Sequence, residues 1–285
     1  MVNRSSSRLE FDAAAIYEYP EHLRDWLNGL PALPGVYTFH GESETLPLYI
    51  GKSINLRSRV MAHFRTVEEA KMLRQARRIT WVTTAGDLGA LLLEAQMIKQ
   101  QQPLFNKRLR HNRQLCSLQL QHNSPQVVYA RDLDFSTSPN LFGLFQNRHA
   151  ALETLRNIAD EQRLCHGLLG LENISNGRAC FRSALKRCGG ACCGRESVAD
   201  HQMRLLAALE RLRLVCWPWQ GPVGLIETGS HQTQIHVIDH WFYLGSVERL
   251  EEAADLKRVR SGFDHDGYKI LCGPLLSGKY PLVPL

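Results

Sequence analysis

The sequence predicts a mixed α/β protein of the α+β class, with a small three-stranded antiparallel sheet near the N-terminus. Two observations lead to this prediction. Two short strand candidates joined by a polar turn indicate an antiparallel hairpin, and five of the eight cysteines fall within residues 165–193, between helical segments. We predict three regions: an α/β domain at 31–110 preceded by a helix at 12–30, a helical cysteine-rich region at 111–216, and a small α/β domain at 222–285.

The elements of the N-terminal domain follow from strand, cap and stop signals. Helical spacing is found over 12–30. Ser53 is a candidate N-cap for a helix that reaches about Arg65, and a second helix at 87–102 is stopped by Pro103. Three strands are predicted, the first two joined by a polar turn: 36–40, 46–50 and 79–84. These elements predict a sheet covered by helices.

The remaining chain shows helices first and strands later. Helices are predicted at 149–164 and 197–215, on either side of the cysteine segment, while the pattern over 112–160 is mixed. A break near 217–222 precedes a predicted meander, followed by a helix at 248–259. The three strands of this meander are predicted at 223–228, 234–238 and 241–244. We expect the aromatic residues Trp241, Phe242 and Tyr243 to be core residues.

The composition excludes several classes of protein. With 44% apolar and 22% charged residues, and no low-complexity tract, the chain is expected to be a globular protein. Its apolar runs are far shorter than the roughly 20 residues of a membrane helix, and its N-terminus lacks a secretory pattern. A cytoplasmic location without membrane association is therefore expected. The net charge of +6 is by itself only weak support for a nucleic-acid partner.

Two tripeptides carry the most specific signal in the sequence. Gly35-Val36-Tyr37 and Tyr49-Ile50-Gly51 stand within the pattern P-G-V-Y, eleven residues, Y-I-G-K-S-x-N-L-R-x-R-V. A second segment, A-L-L-L-E-A-x-x-I-K-x-x-x-P-x-F-N, follows at 90–106. In order and spacing these segments resemble the GIY-YIG nuclease domain of the UvrC excinucleases and their short homologues. The resemblance implies a metal-dependent DNA endonuclease, a hydrolase that acts on phosphodiester bonds.

Glu94 is the carboxylate best placed to hold the metal of such an enzyme. On a helical wheel it lies at the flank of an apolar stripe centred on Leu91, Ala95 and Ile98, from which a side chain can reach a cleft. The resemblance implies that Glu94 is the sole protein ligand of one Mg²⁺ or Mn²⁺ ion. The nuclease site implied by the resemblance consists of Tyr37, Tyr49, Lys52, Arg59, Glu94 and Asn106.

The resemblance also implies roles for the other members of this site. Arg59 would stabilise the scissile phosphate through its planar guanidinium, and Asn106 would hold the site together by hydrogen bonds. Lys52 would lower the pKa of a neighbouring phenol, so that Tyr37 or Tyr49 can accept a proton from water. The sequence does not decide which tyrosine is the base.

Two clusters of cations beside this motif predict a DNA-binding face. The side chains in these clusters are suited to phosphate contacts, which are independent of base sequence. The first cluster contains Arg74, Arg77 and Arg78, and the second contains Lys107, Arg108, Arg110 and Arg113.

The cysteine segment predicts a metal centre. The spacing C-x14-C-x7-C-x3-C joins Cys165, Cys180, Cys188 and Cys192, whereas structural zinc sites use two close pairs. Four dispersed thiolates favour an iron–sulfur cluster, and the UvrC resemblance implies [4Fe–4S]. Zinc and unmetallated core cysteines remain alternatives. The isolated residues Cys116, Cys216 and Cys272 are expected to be small core side chains.

The implied biological role is nucleotide excision repair. By resemblance, the chain would make only the incision 3′ of a lesion in damaged double-stranded DNA, with UvrB loaded there by UvrA. No canonical UvrB-binding repeat is found, so residues 197–285 are the candidate docking segment. Two alternatives remain open: a GIY-YIG homing or restriction-type endonuclease, and a non-enzymatic iron–sulfur DNA-binding protein.

Overall fold

The computed structural model of the protein describes residues 20–43, 45–106, 114–121, 124–173, 178–256 and 262–285. Helices and short antiparallel strands alternate along these residues, which confirms the predicted mixed α/β class. None of the described helices combines the length and the hydropathy that a membrane span requires.

The N-terminal sheet is a three-stranded antiparallel sheet, as predicted. Its strands are β1 (Gly35–His40), β2 (Pro47–Ser53) and β3 (Arg78–Thr83), in the order β2-β1-β3. In the β1–β2 hairpin Tyr37 lies opposite Gly51, and a register shift follows Phe39. Both outer strands therefore have a free edge within this sheet, and β2 is the edge strand that carries the second tripeptide.

Four helices accompany this sheet: α1 (Arg24–Asn28), α2 (Leu56–His63), α3 (Ala70–Gln75) and α4 (Asp87–Gln101). The predicted N-cap at Ser53 is wrong. Asn55 caps α2 instead, because its backbone is extended and its Oδ1 accepts the N–H of Ser58 at 3.0 Å. Ser53 binds the backbone of Asn55 and so shapes the preceding turn. Of the helix predicted at 12–30, residues 12–19 lie outside the described residues.

The sheet is covered on both faces. Tyr37, Phe39 and Ile79 belong to a core cluster with residues of α2 and α3, whereas Val36 and Ile50 contact Ile98 of α4. A further cluster contacts the other side of α4 through Leu88 and Leu92. Leu91, predicted at the centre of the apolar stripe, is therefore only half-buried, because α4 is covered from two sides.

The middle region contains helices and an unpredicted sheet. The helices are α5 (Arg148–Glu161), α6 (Phe181–Ala184) and α7 (Val198–Glu210), the last capped by Ser197. The strands are β4 (Cys116–Gln121), β5 (Ser124–Tyr129) and β6 (Leu141–Phe145), in the order β5-β4-β6. The helical description of 111–216 missed these strands because glutamine, serine and proline dilute their β signal.

The C-terminal region is a four-stranded antiparallel sheet with one helix. The predicted meander is present as β7 (Val223–Thr228), β8 (Thr233–Asp239) and β9 (Phe242–Val247). It is followed by α8 (His265–Leu276) and β10 (Leu282–Pro284), which completes the order β10-β7-β8-β9. The helix predicted at 248–259 is wrong over its described part, where a short 3₁₀ segment occupies Leu250–Asp255.

One hydrophobic core joins the three regions. Leu92 of α4, Leu141 of β6 and Trp241 beside β9 belong to the same buried cluster, and Trp241 is fully buried. Phe242 and Tyr243 are partly buried. The predicted core role of these aromatic side chains is confirmed for Trp241, and this buried cluster contains residues from all three regions.

Candidate active site

Three aromatic rings meet on the inner side of strand β2. The rings of Tyr37 and Tyr49 lie 6.1 Å apart, and each lies 5.4 Å from the ring of His63 at the end of α2. The Tyr37 hydroxyl is 2.6 Å from Nε2 of His63, and Nδ1 of His63 is 3.3 Å from Oε1 of Glu69. The hydroxyl, the imidazole and the carboxylate therefore form one connected polar chain.

Gly51 makes room for this arrangement. A Cβ atom built at Gly51 would lie 2.4 Å from the Tyr37 hydroxyl and 2.8 Å from Cε1 of Tyr49. A side chain at this position would displace both rings, so the glycine of the second tripeptide is required by close approach rather than by backbone conformation. The Arg59 guanidinium, one turn before His63 on α2, interacts with both tyrosine hydroxyls.

The electrostatics of the two phenols differ from the sequence expectation. Burial and the adjacent Tyr49 raise the pKa of Tyr37, while Arg59 acts in the opposite direction. Burial and Glu94 raise the pKa of Tyr49. The expected lowering of a phenol pKa by Lys52 is wrong, because both phenols are desolvated and the cation beside them is Arg59. Both tyrosines are neutral at pH 7 in this environment.

His63 is a neutral acceptor in the same environment. Burial lowers the pKa of His63, and Arg59 adds to this effect, while Glu69 opposes it. A neutral imidazole that donates from Nδ1 to Glu69 presents an unprotonated Nε2 to the Tyr37 hydroxyl. This tautomer is the one that satisfies both contacts.

Glu94 faces the same site from helix α4. Its Oε1 accepts the backbone N–H of Lys52 at 3.1 Å, and burial raises the pKa of this carboxyl group. The Lys52 ammonium turns to Asp87 at the start of α4, with Nζ 2.6 Å from Oδ1. The site thus presents one half-buried carboxylate beside hydroxyls and cations. A hard divalent cation that keeps most of its ligands as water fits such a donor set.

Asn106 fastens the edge strand of the site. Its Oδ1 accepts the N–H of Ile50 at 2.9 Å, and its Nδ2 donates to the carbonyl oxygen of Ile50 at 2.8 Å. The side chain thereby supplies the hydrogen bonds that a further strand would otherwise make to the outer edge of β2. Asn106 thereby holds the backbone between Tyr49 and Gly51 in place.

The C-terminal domain caps the helix that carries Glu94. Buried Glu227 of β7 accepts the N–H of Leu88 at 3.0 Å and the N–H of Gly89 at 2.8 Å, in the first turn of α4. His236 of β8 lies 3.0 Å from the same carboxylate. A Cβ atom at Gly86 would lie 2.4 Å from Oε1 of Glu227. A negative charge at a helix N-terminus is favourable, and here it comes from a residue 138 positions away from Gly89.

Comparison with known proteins places these regions in one family. The model of the UvrC-like GIY-YIG domain matches residues 33–107, that of the UvrC/Cho excinuclease middle domain matches 115–211, and that of the Excinuclease Cho C-terminal domain matches 222–285. The curated Excinuclease cho of Escherichia coli (strain K12) is 67% identical over 286 residues, which cover 100% of this chain and 97% of that protein. The chain belongs to the excinuclease Cho family.

Other relatives extend this result. Excinuclease cho of Salmonella typhi is 66% identical over 286 residues, covering 100% of this chain and 98% of that protein. UvrABC system protein C of Caulobacter vibrioides is 31% identical over 186 residues, covering 63% of this chain but 29% of that protein. A solved structure of the GIY-YIG N-terminal endonuclease domain of UvrC from Thermotoga maritima, bound to its catalytic divalent cation magnesium, is 28% identical. It covers 30% of this chain and 97% of that chain, with a TM-score of 0.28.

Membership of the Cho family confirms the resemblance predicted from the two tripeptides. The chain is a metal-dependent endonuclease of the UvrC type. This result favours the repair endonuclease over the homing or restriction-type nuclease and over a DNA-binding protein without activity.

The four cysteines of this Cho-family chain converge as their spacing predicted. The sulfur atoms of Cys165, Cys180, Cys188 and Cys192 all lie within 4.8 Å of one another. The first three thiols are buried, and the fourth is partly buried. Cys193 lies outside the group and donates to the carbonyl oxygen of Gly190 at 3.3 Å. The group can hold a metal.

The predicted DNA-binding cations are only partly described. Arg78 lies opposite His40, at the end of β1 away from the pairing of Val36 with Lys52. His40 lies four positions after Val36, which corresponds to about 14 Å along an extended strand. Arg77 donates to Glu42, and Arg74 lies in the last turn of α3. This first cluster therefore flanks the site, whereas Lys107, Arg108, Arg110 and Arg113 lie outside the described residues.

Sequence reasoning missed His63 and Glu227. His63 stands four residues after Arg59, so the helical spacing i, i+4 placed both on one side of α2 and could have drawn attention to it. Glu227 carried no comparable signal, because its partners are the backbone N–H groups of a distant helix.

Proposed function

We propose that this chain makes a single incision 3′ of a lesion in damaged double-stranded DNA, once UvrA has loaded UvrB there. The observation that carries the proposal is the assembly of Tyr37, Tyr49, Arg59 and Glu94 around one site in a chain of the Cho family. Phosphate contacts do not distinguish damaged from undamaged DNA. Selectivity for lesions must therefore come from a protein that presents the distorted duplex.

The side chains of the site have different roles in hydrolysis. Glu94 would hold Mg²⁺ or Mn²⁺, and such a cation supplies Lewis-acid polarisation of the phosphate group. Arg59 stabilises the negative charge that develops on the phosphate oxygens. Asn106 keeps β2 in position, and the contact between Lys52 and Asp87 orients the start of α4.

Tyr49 is the proposed general base, because it is the tyrosine that interacts with Glu94. Because its raised phenol pKa keeps Tyr49 protonated at pH 7, Tyr49 can accept a proton from the attacking water only as it passes its own proton on. The Tyr37 hydroxyl and His63 provide that route, and Glu69 stabilises the imidazolium that results. Tyr37→Phe interrupts this route while keeping the ring, so it should lower kcat without changing DNA affinity.

Mapping of the products on labelled DNA tests the proposed incision. The substrates are a duplex with one lesion and an otherwise identical undamaged duplex, each incubated with and without UvrA and UvrB. We expect one cut, 3′ of the lesion, that depends on UvrB, and no cut by Glu94→Gln under the same conditions. Paired cuts on both sides of the lesion, or equal cutting of both duplexes in the presence of UvrB, would contradict the proposal.

The contact with UvrB is proposed to lie on helix α7, within the predicted docking segment 197–285. Val198, Met203 and Leu206 leave 50%, 61% and 39% of their surface exposed on this helix. Exposed apolar side chains on one element are typical of interaction surfaces. Deletion of 222–285 cannot test this contact, because Leu88 and Leu92 of α4 share a core with that domain.

Substitution of the exposed side chains avoids this difficulty. Met203→Ser with Leu206→Ser should reduce incision in the presence of UvrB and leave nicking of undamaged DNA at low salt unchanged. Equal loss of both activities would show that the residues only support the fold.

We propose that the cysteine group holds a [4Fe–4S] cluster. The dispersed spacing of the four thiols and their burial support this assignment. A single tetrahedral zinc ion is the second candidate. Its Zn–S bonds imply distances of about 3.8 Å between sulfur atoms, and the four sulfur atoms already lie within 4.8 Å of one another. Protein purified without oxygen should be brown, with about four iron atoms per chain. A colourless protein with one zinc ion per chain would show that the cysteine group holds zinc and not an iron–sulfur cluster.

A further inference from the structure

A cationic cleft lies beside the cysteine group, at the end of helix α5. It has a volume of about 310 Å³ and is lined by Asp160, Arg163, Arg182, Lys186 and Arg187. Four of its five lining side chains are cations. Arg187 immediately precedes Cys188, so the cleft and the metal-binding group share one loop.

The single carboxylate of the cleft is already engaged. Asp160 accepts from Arg182 and lies 3.2 Å from Nε2 of His166. Among the described residues, no carboxylate lies within ion-pair distance of Lys186 or Arg187. Arg163 donates one N–H to the carbonyl oxygen of Lys186 at 3.2 Å, and Nε of Arg182 is buried without a hydrogen-bond partner. The cleft therefore has unused positive charge and unused donors.

The backbone of the cleft is unusual for residues with long side chains. Arg163 and Lys186 have φ values of +52° and +57°, in the left-handed region that favours glycine and asparagine. Cations occupy both positions nevertheless. Each residue directly follows the C-cap of a helix, α5 or α6, where a left-handed residue commonly ends the helix, so the two helix ends place both cations at the cleft.

An exposed aromatic side chain stands on the same short helix as Arg182. Phe181 leaves 68% of its surface exposed, and Leu185 leaves 51% exposed between Ala184 and Lys186. Aromatic side chains beside cations are typical of surfaces that contact nucleic acid, because rings stack on bases and sugars while cations bind phosphates.

We propose that this cleft binds a phosphate of the DNA backbone at a second position, outside the nuclease site, with Phe181 against a neighbouring sugar or base. The inference rests on the chain being a DNA endonuclease, and it is independent of where the cut falls. Neutralisation of metal-bound thiolates is the competing explanation for the cations. It does not account for Lys186 and Arg187, since both are exposed to water whereas the nearby thiol of Cys188 is buried.

Neutralising the two exposed cations tests the proposal. Lys186→Asn suits the left-handed backbone at this position, and Arg187→Gln keeps much of the side chain's length. The matched control is Arg156→Gln, an exposed arginine on α5 outside the cleft. Fluorescence anisotropy with a labelled undamaged duplex gives the affinity over a range of KCl concentrations, in the absence of UvrB. Cleavage at saturating DNA and the metal content are measured on the same preparations.

We expect the double variant to bind about tenfold more weakly near 0.1 M salt, with a slope of log K against log[salt] smaller by about 1 to 2. The cleavage rate at saturating DNA and the metal content should equal those of the wild type. Unchanged affinity and slope, or an equal change in Arg156→Gln, would overturn the proposal. If the double variant loses metal, the single variant Lys186→Asn is measured in its place. A slope of log K against log[salt] equal to that of the wild type would then overturn the proposal.

Discussion

Glu227 joins the C-terminal domain to the helix that carries Glu94, and its removal should destabilise the whole chain. In Glu227→Ala the N–H groups of Leu88 and Gly89 lose their acceptor, and Nε2 of His236 loses its partner. The Glu227 side chain is 6% exposed, so water does not replace these bonds in the folded protein. Leaving a buried donor without an acceptor costs about 1–3 kcal/mol, and at least two donors lose theirs here, so the total cost is about 2–6 kcal/mol. We expect the free energy of unfolding to fall by about that amount, a large share of the roughly 5–15 kcal/mol of a typical domain.

Urea unfolding followed by tryptophan fluorescence measures this loss. Trp217, Trp219 and Trp241 lie in or against the core shared by the three regions, so their emission reports on its loss. The matched control is Glu251→Ala, an exposed glutamate of the same domain, which should change the stability by less than about 0.5 kcal/mol. A loss below about 1 kcal/mol in Glu227→Ala would refute the reasoning, since the helix would then be held without this cap.

The same carboxylate gives the stability a defined pH dependence. Burial alone raises the pKa of Glu227, but the hydrogen bonds from His236, Gly89 and Leu88 outweigh it, and the net shift is downward. Its contribution is fully present above the unfolded-state pKa, about 4.3, and is lost as the pH falls through the lower folded-state pKa. The stability difference between the wild type and Glu227→Gln should therefore narrow below about pH 4, which urea titrations at a series of pH values would show. A constant difference down to pH 2 would contradict the assignment.

Three further outcomes are expected. Glu94→Gln and Arg59→Ala should each lower cleavage by about 10²-fold or more while DNA affinity is retained, because both side chains act on the charge of the transition state; near wild-type cleavage would disprove the site. His63→Gln should lower kcat but not DNA affinity, since glutamine cannot accept the proton of Tyr37 and become charged, and an unchanged pH–rate profile would remove His63 from the proton route. Cys192→Ser should lose metal and Cys193→Ser should keep it, because only Cys192 belongs to the group of four sulfur atoms. Metal analysis of the two variants tests this expectation, and equal metal loss in both would place Cys193 among the ligands.

Much of the N-terminal fold could be predicted because its signals are local. Two short strand candidates around a polar turn predicted the β1–β2 hairpin, and Pro103 correctly marked the end of α4. The N-cap of α2 was missed because Ser53 and Asn55 are both good caps, and only the extended backbone of Asn55 decides between them. The sheet of the middle region escaped prediction since its strands alternate polar residues with few β-branched ones.

The sequence by itself determined the chemistry of this protein. The order and spacing of Tyr37, Tyr49, Arg59 and Glu94 resemble those of the UvrC-type GIY-YIG nucleases, which implied a nuclease, and the spacing of four cysteines indicated a metal group. Both patterns can be found in the sequence because each one consists of particular residue types at fixed distances along the chain.

Only the tertiary structure decided how that chemistry is supported. It brought His63 to the Tyr37 hydroxyl, and it brought Glu227 to the first turn of α4 across 138 residues of sequence. It also raised the pKa values of phenols that an adjacent lysine was expected to lower. The physical reason is the same in each case. Burial and long-range hydrogen bonds depend on which surfaces come into contact when the chain folds. Local patterns of residues do not show those contacts.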